Sequence, residues 1–185
     1  MPGIGQSGAS PAPHLDSLGV IISMPPGLAT ELNRWRESFA GPGAAAVPPH
    51  ITLVSGRSNG SWNKAAEHVR TVAASGKPFT VSLRGTGTFA PLSPVVFLNL
   101  EAGVEECVTL HEELLAGPVE HLPDFDFRPH LTVAHDLDDD AMARAESELA
   151  DFSADFTVRS IGLYDYSQGG WALREELTLG GDGQQ

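Results

Sequence analysis

Cysteine and lysine are nearly missing from this sequence, which has one of the first, Cys107, and two of the second. A lone thiol can close no internal disulfide, so the fold has to hold without that constraint. The two lysines and nine arginines stand against 24 acidic residues, for a formal net charge of −13, and nowhere do basic residues form a run. That balance speaks against a broad nucleic-acid-wrapping surface, whose affinity would rest on many phosphate contacts. Long apolar runs are missing too, and no stretch approaches the roughly 20 residues that would cross a bilayer. The opening MPGIGQSGASPAPHL has neither the basic start nor the apolar stretch of a signal peptide. The expectation is a cytoplasmic, most simply monomeric protein without membrane contact. Residues 1–15 are expected to be a flexible tail, residues 16–181 a single domain, and residues 182–185 a flexible C-terminus.

What is present is a core's worth of apolar residues, 41% of the chain, in alternating strand and helix patterns. LGVIISMP, residues 18–25, reads as an apolar strand. Leu28, Leu32, Trp35 and Phe39 then fall at helical spacing until Gly41 stops them. HITLVSG is a strand, residues 62–75 are a helix with Ala66, Val69 and Ala73 inward, and Gly76 follows its end. FTVSLRGTGTFAP and PVVFLNL read as strands, the first alternating at Phe79, Val81 and Leu83. A helix over residues 103–116 uses Val104, Cys107, Val108, Leu114 and Leu115. HLTVAH is the next strand, and residues 138–152 form a helix whose acidic start suits the helix dipole and which buries Met142, Leu149 and Phe152. SIGLYDY, a SQGG turn and WALREELTL close the chain as a hairpin. The pattern is α+β, with two similar lobes and no linker-like composition between them.

Each lobe contains one copy of the same phrase. PPHITLVSG at residues 48–56 returns as RPHLTVAHD at residues 128–136, and the two histidines are 130 − 50 = 80 positions apart. On a strand, i and i+2 share a face. His50 and Thr52 therefore share one face with Ile51 and Leu53 behind them, and His130 and Thr132 share theirs with Leu131 and Val133 behind. A cleft between two such sheets collects two imidazoles and two hydroxyls with rough two-fold symmetry. Imidazoles give and take protons near neutral pH, and hydroxyls donate hydrogen bonds to anionic oxygens. A single His-x-Thr on an alternating strand is most often surface or satisfied core; its repetition, after a proline both times, carries the functional reading.

The paired PHITL and PHLTV segments and the closing IGLYDYSQGGWALREELTL resemble the 2H phosphoesterase superfamily, in its 2′-5′ RNA ligase and cyclic phosphodiesterase branch, over nearly the whole chain beyond the tail. The resemblance implies two pseudo-symmetric lobes, each a mostly antiparallel sheet with outer helices, facing across a central water-filled groove. It implies metal-independent opening of a cyclic phosphodiester, of the nucleoside 2′,3′-cyclic phosphate or ADP-ribose cyclic phosphate type, with no cofactor. Carried over residue by residue, His50 and His130 would be acid and base, and Thr52 and Thr132 would hold the phosphoryl oxygens. A small cyclic nucleotide or a short RNA end fits the acidic composition as partner. The alternatives are 2′-5′ ligation of RNA ends, and a nucleotide-binding module that uses the same groove without turnover.

Other residues are candidates on thinner grounds. Arg128 precedes the second motif and is a candidate to add positive charge near a phosphate, a solvated loop arginine being the plainer reading. Arg57 and Arg84 are further candidates for focusing the field. Phe89, Tyr164, Tyr166 and Trp171 are candidates to stack on a base, against the plainer reading of strand aromatics as core. His111 falls on the apolar face of its helix and reads as a core histidine. His14, His68, His121 and His135 have no partner pattern. A metal site from His130, His135 and Asp136 is set aside, because i and i+5 on a regular strand point to opposite faces. No metal is expected, and RGTGTF falls short of a dinucleotide fingerprint.

Overall fold

The computed structural model describes residues 17–167 and 170–181, so both expected flexible termini lie outside the described residues. In chain order the elements are β1 (Ser17–Ser23), α1 (Pro26–Ala40), a 3₁₀ turn (Pro42–Ala46), β2 (His50–Ser58), α2 (Trp62–Ser75), β3 (Phe79–Thr88), β4 (Val95–Ala102) and α3 (Val104–Leu115). There follow β5 (Val119–His121), β6 (Leu131–His135), α4 (Asp139–Glu148), β7 (Ser153–Val158), β8 (Ser160–Asp165) and β9 (Ala172–Thr178).

Local chemistry accounts for most boundaries. Pro26 opens α1, where a missing N–H costs nothing, and Gly41, at φ 82°, ends it in a conformation side-chain-bearing residues avoid. Ser61 Oγ accepts the Lys64 N–H at the start of α2. The Asp138 carboxylate accepts the Ala141 N–H at 2.8 Å to cap α4, and Asp139 and Asp140 follow in its first turn. That helix stops at Glu148, short of the expected residue 152. The Ala150 N–H turns back to the Ser147 carbonyl and the Phe152 N–H to that of Leu149. Leu149 is still buried, and Met142 and Phe152 pack at the edge of the core.

The strands form one antiparallel sheet in the order β7-β3-β4-β6-β2-β1-β8-β9, with β5 added beside β2. It divides into two four-strand halves, β7-β3-β4-β6 and β2-β1-β8-β9, each with one His-x-Thr motif at its inner edge. The fold is α+β with two similar halves, as the sequence led one to expect. The halves join rather than stand apart, through the pair Ile51 and Leu131 between β2 and β6. Their helices are exchanged. α1, which follows β1, packs on β6 and α4, whereas α3, which follows β4, packs on β2 and α2. Leu18, Val20, Ile22, Ile51, Leu53, Leu98, Leu131 and Val133 form the core beneath these helices. The opposite face of the sheet is left for the groove.

Candidate active site

The seam sets the geometry. An antiparallel register with Ile51 opposite Leu131 sums to 51 + 131 = 182, so it places His50 across from Thr132 and Thr52 across from His130. Each imidazole thus neighbours the hydroxyl of the other motif. Diagonal positions of this kind lie about 7–8 Å apart, somewhat less at Cβ, which lets two imidazoles address one group between them.

Both motifs have the same burial pattern, with the prolines buried, the histidines and threonines half-buried, and the intervening Ile51 and Leu131 fully buried. Both also have a β-bulge at the same place. In β2, Ile21 pairs with Thr52 and Val20 with Val54, leaving Leu53 as the extra residue. In β6, Phe97 pairs with Thr132 and Val96 with Ala134, leaving Val133. A bulge shifts the alternation by one. Two consecutive residues turn inward, Leu53 and Val54 in one strand and Val133 and Ala134 in the other, and the next residues, Ser55 and His135, return to the open face. The sequence argument that His130 and His135 point to opposite faces is therefore wrong. His135 lines the same cavity as Thr132 and His50. The carbonyl of Leu53 accepts a 2.7 Å hydrogen bond from Nδ1 of the buried His111, which is a satisfied core histidine.

The two imidazoles are held alike. Nδ1 of His50 lies 2.7 Å from the Pro48 carbonyl and Nδ1 of His130 lies 2.8 Å from that of Arg128. A carbonyl only accepts, so each Nδ1 carries a proton and each Nε2 is the nitrogen that titrates. Pro49 and Pro129 fix the chain between donor and acceptor. Burial holds both imidazoles below the ordinary histidine pKa of 6.5, partly offset by these carbonyls. The charges of Arg36 and His130 add to the depression at His50, and that of Arg128 at His130.

The candidate substrate-binding residues cluster around these rings. Trp171 lies 4.7 Å from His50 between ring centres, and Phe89 meets His130 edge-on at 4.9 Å. Arg128 sits over Phe97, 5.3 Å from its ring centre, and reaches Asn99 at 3.4 Å. Tyr164 touches Trp171 and reaches His50 only through it. Arg57 pairs with Glu120 at 2.8 Å and Arg84 with Asp155 at 2.8 Å. Beside the threonines, in register with them on the neighbouring strands, Ile21 and Phe97 are each 1% exposed yet stand apart from the helix-side core.

Two contributors escaped the sequence reading, Arg36 and Gly19, and a third, Asp136, entered it only in the metal site set aside above. Arg36 of α1 lines a cavity of about 370 Å³ with His50, Thr132, His135, Asp136 and Trp171. Gly19 of β1 has the Tyr166 ring where a Cβ would stand, and Tyr166 in turn packs on Trp171 at 4.7 Å. Asp136 adopts φ 53°, unusual for a side-chain-bearing residue, and its carboxylate lies 3.3 Å from Nδ1 of His135. A signal for the bulges was present: two adjacent apolar residues follow each His-x-Thr, Leu53-Val54 and Val133-Ala134, where a regular strand would alternate. Among the described residues no three His, Cys, Asp or Glu side chains group as a metal site, and no helix is long and apolar enough to cross a membrane.

The sequence model of the 2′-5′ RNA ligase superfamily matches residues 24–170. A Bacillus pumilus protein provisionally named a phosphoesterase is 31% identical over 178 residues, covering 89% of this chain and 98% of its own. A Bacillus licheniformis protein with the same provisional name is 30% identical over 167 residues, covering 88% and 98%. Among solved structures, Escherichia coli LigT complexed with NADP+ aligns at TM-score 0.66 and 21% identity over 90% of this chain and 99% of its own. LigT complexed with 3′-AMP aligns at TM-score 0.64 and 20% identity over 89% and 98%. At these identities the structural likeness concerns the fold.

Proposed function

The chain belongs to the 2′-5′ RNA ligase superfamily, and on that premise we propose that it is a phosphodiesterase opening a small cyclic phosphodiester, of the nucleoside 2′,3′-cyclic phosphate or ADP-ribose cyclic phosphate type. The observation that carries the proposal is the matched fixation of two imidazoles. Both are tied at Nδ1 to the carbonyl two residues upstream, and each sits across the seam from a threonine of the other motif.

In the proposed reaction a neutral imidazole takes a proton from water as its oxygen attacks phosphorus. The protonated partner gives its proton to the sugar oxygen as the P–O bond to that oxygen breaks. The product is a phosphomonoester, and both histidines have exchanged roles by the end of the turnover. Thr52 and Thr132 donate hydrogen bonds to the non-bridging oxygens as charge redistributes there. Proton transfer and charge stabilisation are both assigned to side chains, so this reading requires neither metal nor cofactor. The product kind matches the 3′-AMP found with LigT, since opening a 2′,3′-cyclic phosphate at O2′ leaves a 3′-phosphate.

The test is incubation of the full chain with a panel of 2′,3′-cyclic nucleotides, an ADP-ribose cyclic phosphate and an oligonucleotide ending in a cyclic phosphate, followed by mass analysis. Gain of one water in a small substrate supports the proposal. Joined oligonucleotides would replace it with ligation, and saturable binding with no mass change would replace it with a binding module.

A further inference from the structure

Five arginines each meet a carboxylate: Arg57 with Glu120, Arg70 with Glu175, Arg84 with Asp155, Arg144 with Glu148 and Arg174 with Asp165. Arg34, Arg128 and Arg159 meet none among the described residues, but they are exposed and water solvates them. Arg36 is different: it is half-buried and has no carboxylate partner among the described residues. Its Nη1 donates to Asn33 Oδ1 at 3.0 Å and to the Val47 carbonyl at 2.7 Å, both neutral acceptors. Nε and Nη2 have no acceptor among the described residues. Burial pulls the guanidinium pKa down, as expected of a cation without a counter-charge.

A chain of net charge −13 has acids to spare for such a site. Leaving a partly buried guanidinium unneutralised is costly unless an anion arrives from outside. The cation also lies where an anion is wanted, in the cavity with His50 and Thr132. The carboxylate among that cavity's lining residues, Asp136, lies against His135. Arg36 further braces Val47, next to the Pro48 carbonyl that orients His50.

We propose that Arg36 is an anion-binding residue of the groove, donating from Nε and Nη2 to a non-bridging oxygen of a phosphoryl group held beside His50 and Thr132. The proposal deepens the phosphodiesterase reading by assigning a cation to the reacting group, and it rests on that reading only for the identity of the substrate. A guanidinium suits the task because its planar fork can serve two oxygens of one phosphate.

Inorganic phosphate is the probe, titrated calorimetrically into the full chain as wild type, Arg36→Met and Arg36→Lys, with melting temperature measured for each. Arg36→Met is expected to weaken phosphate binding about 10- to 100-fold, whereas Arg36→Lys, which keeps a point charge, loses less than about tenfold. In Arg36→Met the histidine-linked acid limb of the pH profile should also move up, because a positive charge beside His50 is gone. Unchanged phosphate binding in Arg36→Met overturns the proposal, as does absence of saturable binding in wild type. Equal loss in both variants with equal loss of melting temperature overturns it too, leaving Arg36 as a brace for Val47. Should Arg36→Met fail to fold, Arg36→Lys decides alone, and a complete loss of phosphate binding there overturns the assignment. Binding is read without turnover, so failure of the substrate panel and failure of this proposal are separate results.

Discussion

Around His50 the groove is built from Trp171, Tyr166 and Arg36; around His130 it is built from Phe89, Phe97 and Arg128. The backbone beneath is the same on both sides, down to the proline, the carbonyl two residues upstream and the bulge after the threonine. Beside Thr52 the register partner is Ile21, beside Thr132 it is Phe97, and the bulges deliver Ser55 to one side and His135 to the other. The His-x-Thr groups are duplicated and their surroundings are not. A reaction with an entering and a leaving oxygen on opposite sides of phosphorus needs two similar proton-transfer groups, while the body of a substrate has no symmetry to match. On the proposed reaction, the paired residues serve the chemistry and the unpaired ones serve recognition.

The largest expected effect tests the pairing itself. His50→Ala and His130→Ala should each lower kcat by about 10²- to 10⁴-fold, and the double variant should lose far less than the product of the two, because both act in one step. Single-turnover rates with circular dichroism as a folding check measure this. Wild-type rates in either variant would break the symmetry at its centre. Next come the hydroxyls: Thr52→Val and Thr132→Val should each lose about 10²- to 10³-fold in kcat with little change in KM. If both variants turn over normally, the threonines are only strand formers.

The pairing is legible in the sequence because its signal is repetition: His-x-Thr occurs twice, and alternation assigns its face. The order of helices and most strands is legible through apolar periodicity, with capping residues at Ser61, Gly41 and Asp138. Two strands are not, β5 with three residues and β7, whose SADFTV follows a helix and alternates weakly at the sheet's edge. The asymmetric half of the site is hardest to read. Arg36 lies fourteen residues before His50 on a helix that crosses to the other half of the sheet, so no local spacing connects them. His135 is misplaced by any reading that assumes a regular strand through Val133-Ala134. Gly19 is needed only because Tyr166, far away in sequence, lies over it.

A smaller effect separates the two aromatic surroundings. Trp171 covers His50 from the β8–β9 connection and is held by Tyr166, whereas Phe89 is packed on Phe97 at 4.4 Å and meets His130 by its edge. If Trp171 offers a face to the substrate's base, Trp171→Ala should raise KM by about tenfold, as loss of one base stack does, with kcat nearly kept. Phe89→Ala should act on kcat, since it loosens the wall that positions His130. The same split in both variants, whether in KM or in kcat, would remove the distinction between the two sides.

The smallest effect is a displacement along the pH axis, and its sign follows from burial. Hydrolysis needs one imidazole neutral and the other protonated, so kcat/KM against pH should be a bell whose two limbs belong to the coupled pair. Burial lowers both histidines from 6.5 in the free protein, so the maximum of kcat/KM should fall on the acid side of that value. A bound phosphate favours the protonated forms, and the kcat profile should lie at higher pH than that of kcat/KM. Stability carries the same sign. Between the lowered folded values and 6.5 the unfolded chain binds more protons, so stability rises with pH through that window and is lost as pH falls through it. The carboxylates Asp165 and Glu175 are held below their ordinary values of 3.8 and 4.5 by their hydrogen bonds to Ser167 and Arg70, so their contribution disappears in a separate, more acid window. Denaturant unfolding from pH 8 to 3 in wild type and in the double variant His50→Ala/His130→Ala should therefore differ in slope as pH falls below 6.5, and run parallel in the more acid window where the carboxylates alone titrate. Parallel curves throughout would show that the two imidazoles are not desolvated, and a rate climbing steadily with pH in wild type and both single variants would leave hydroxide as the nucleophile and the groove as a binding site.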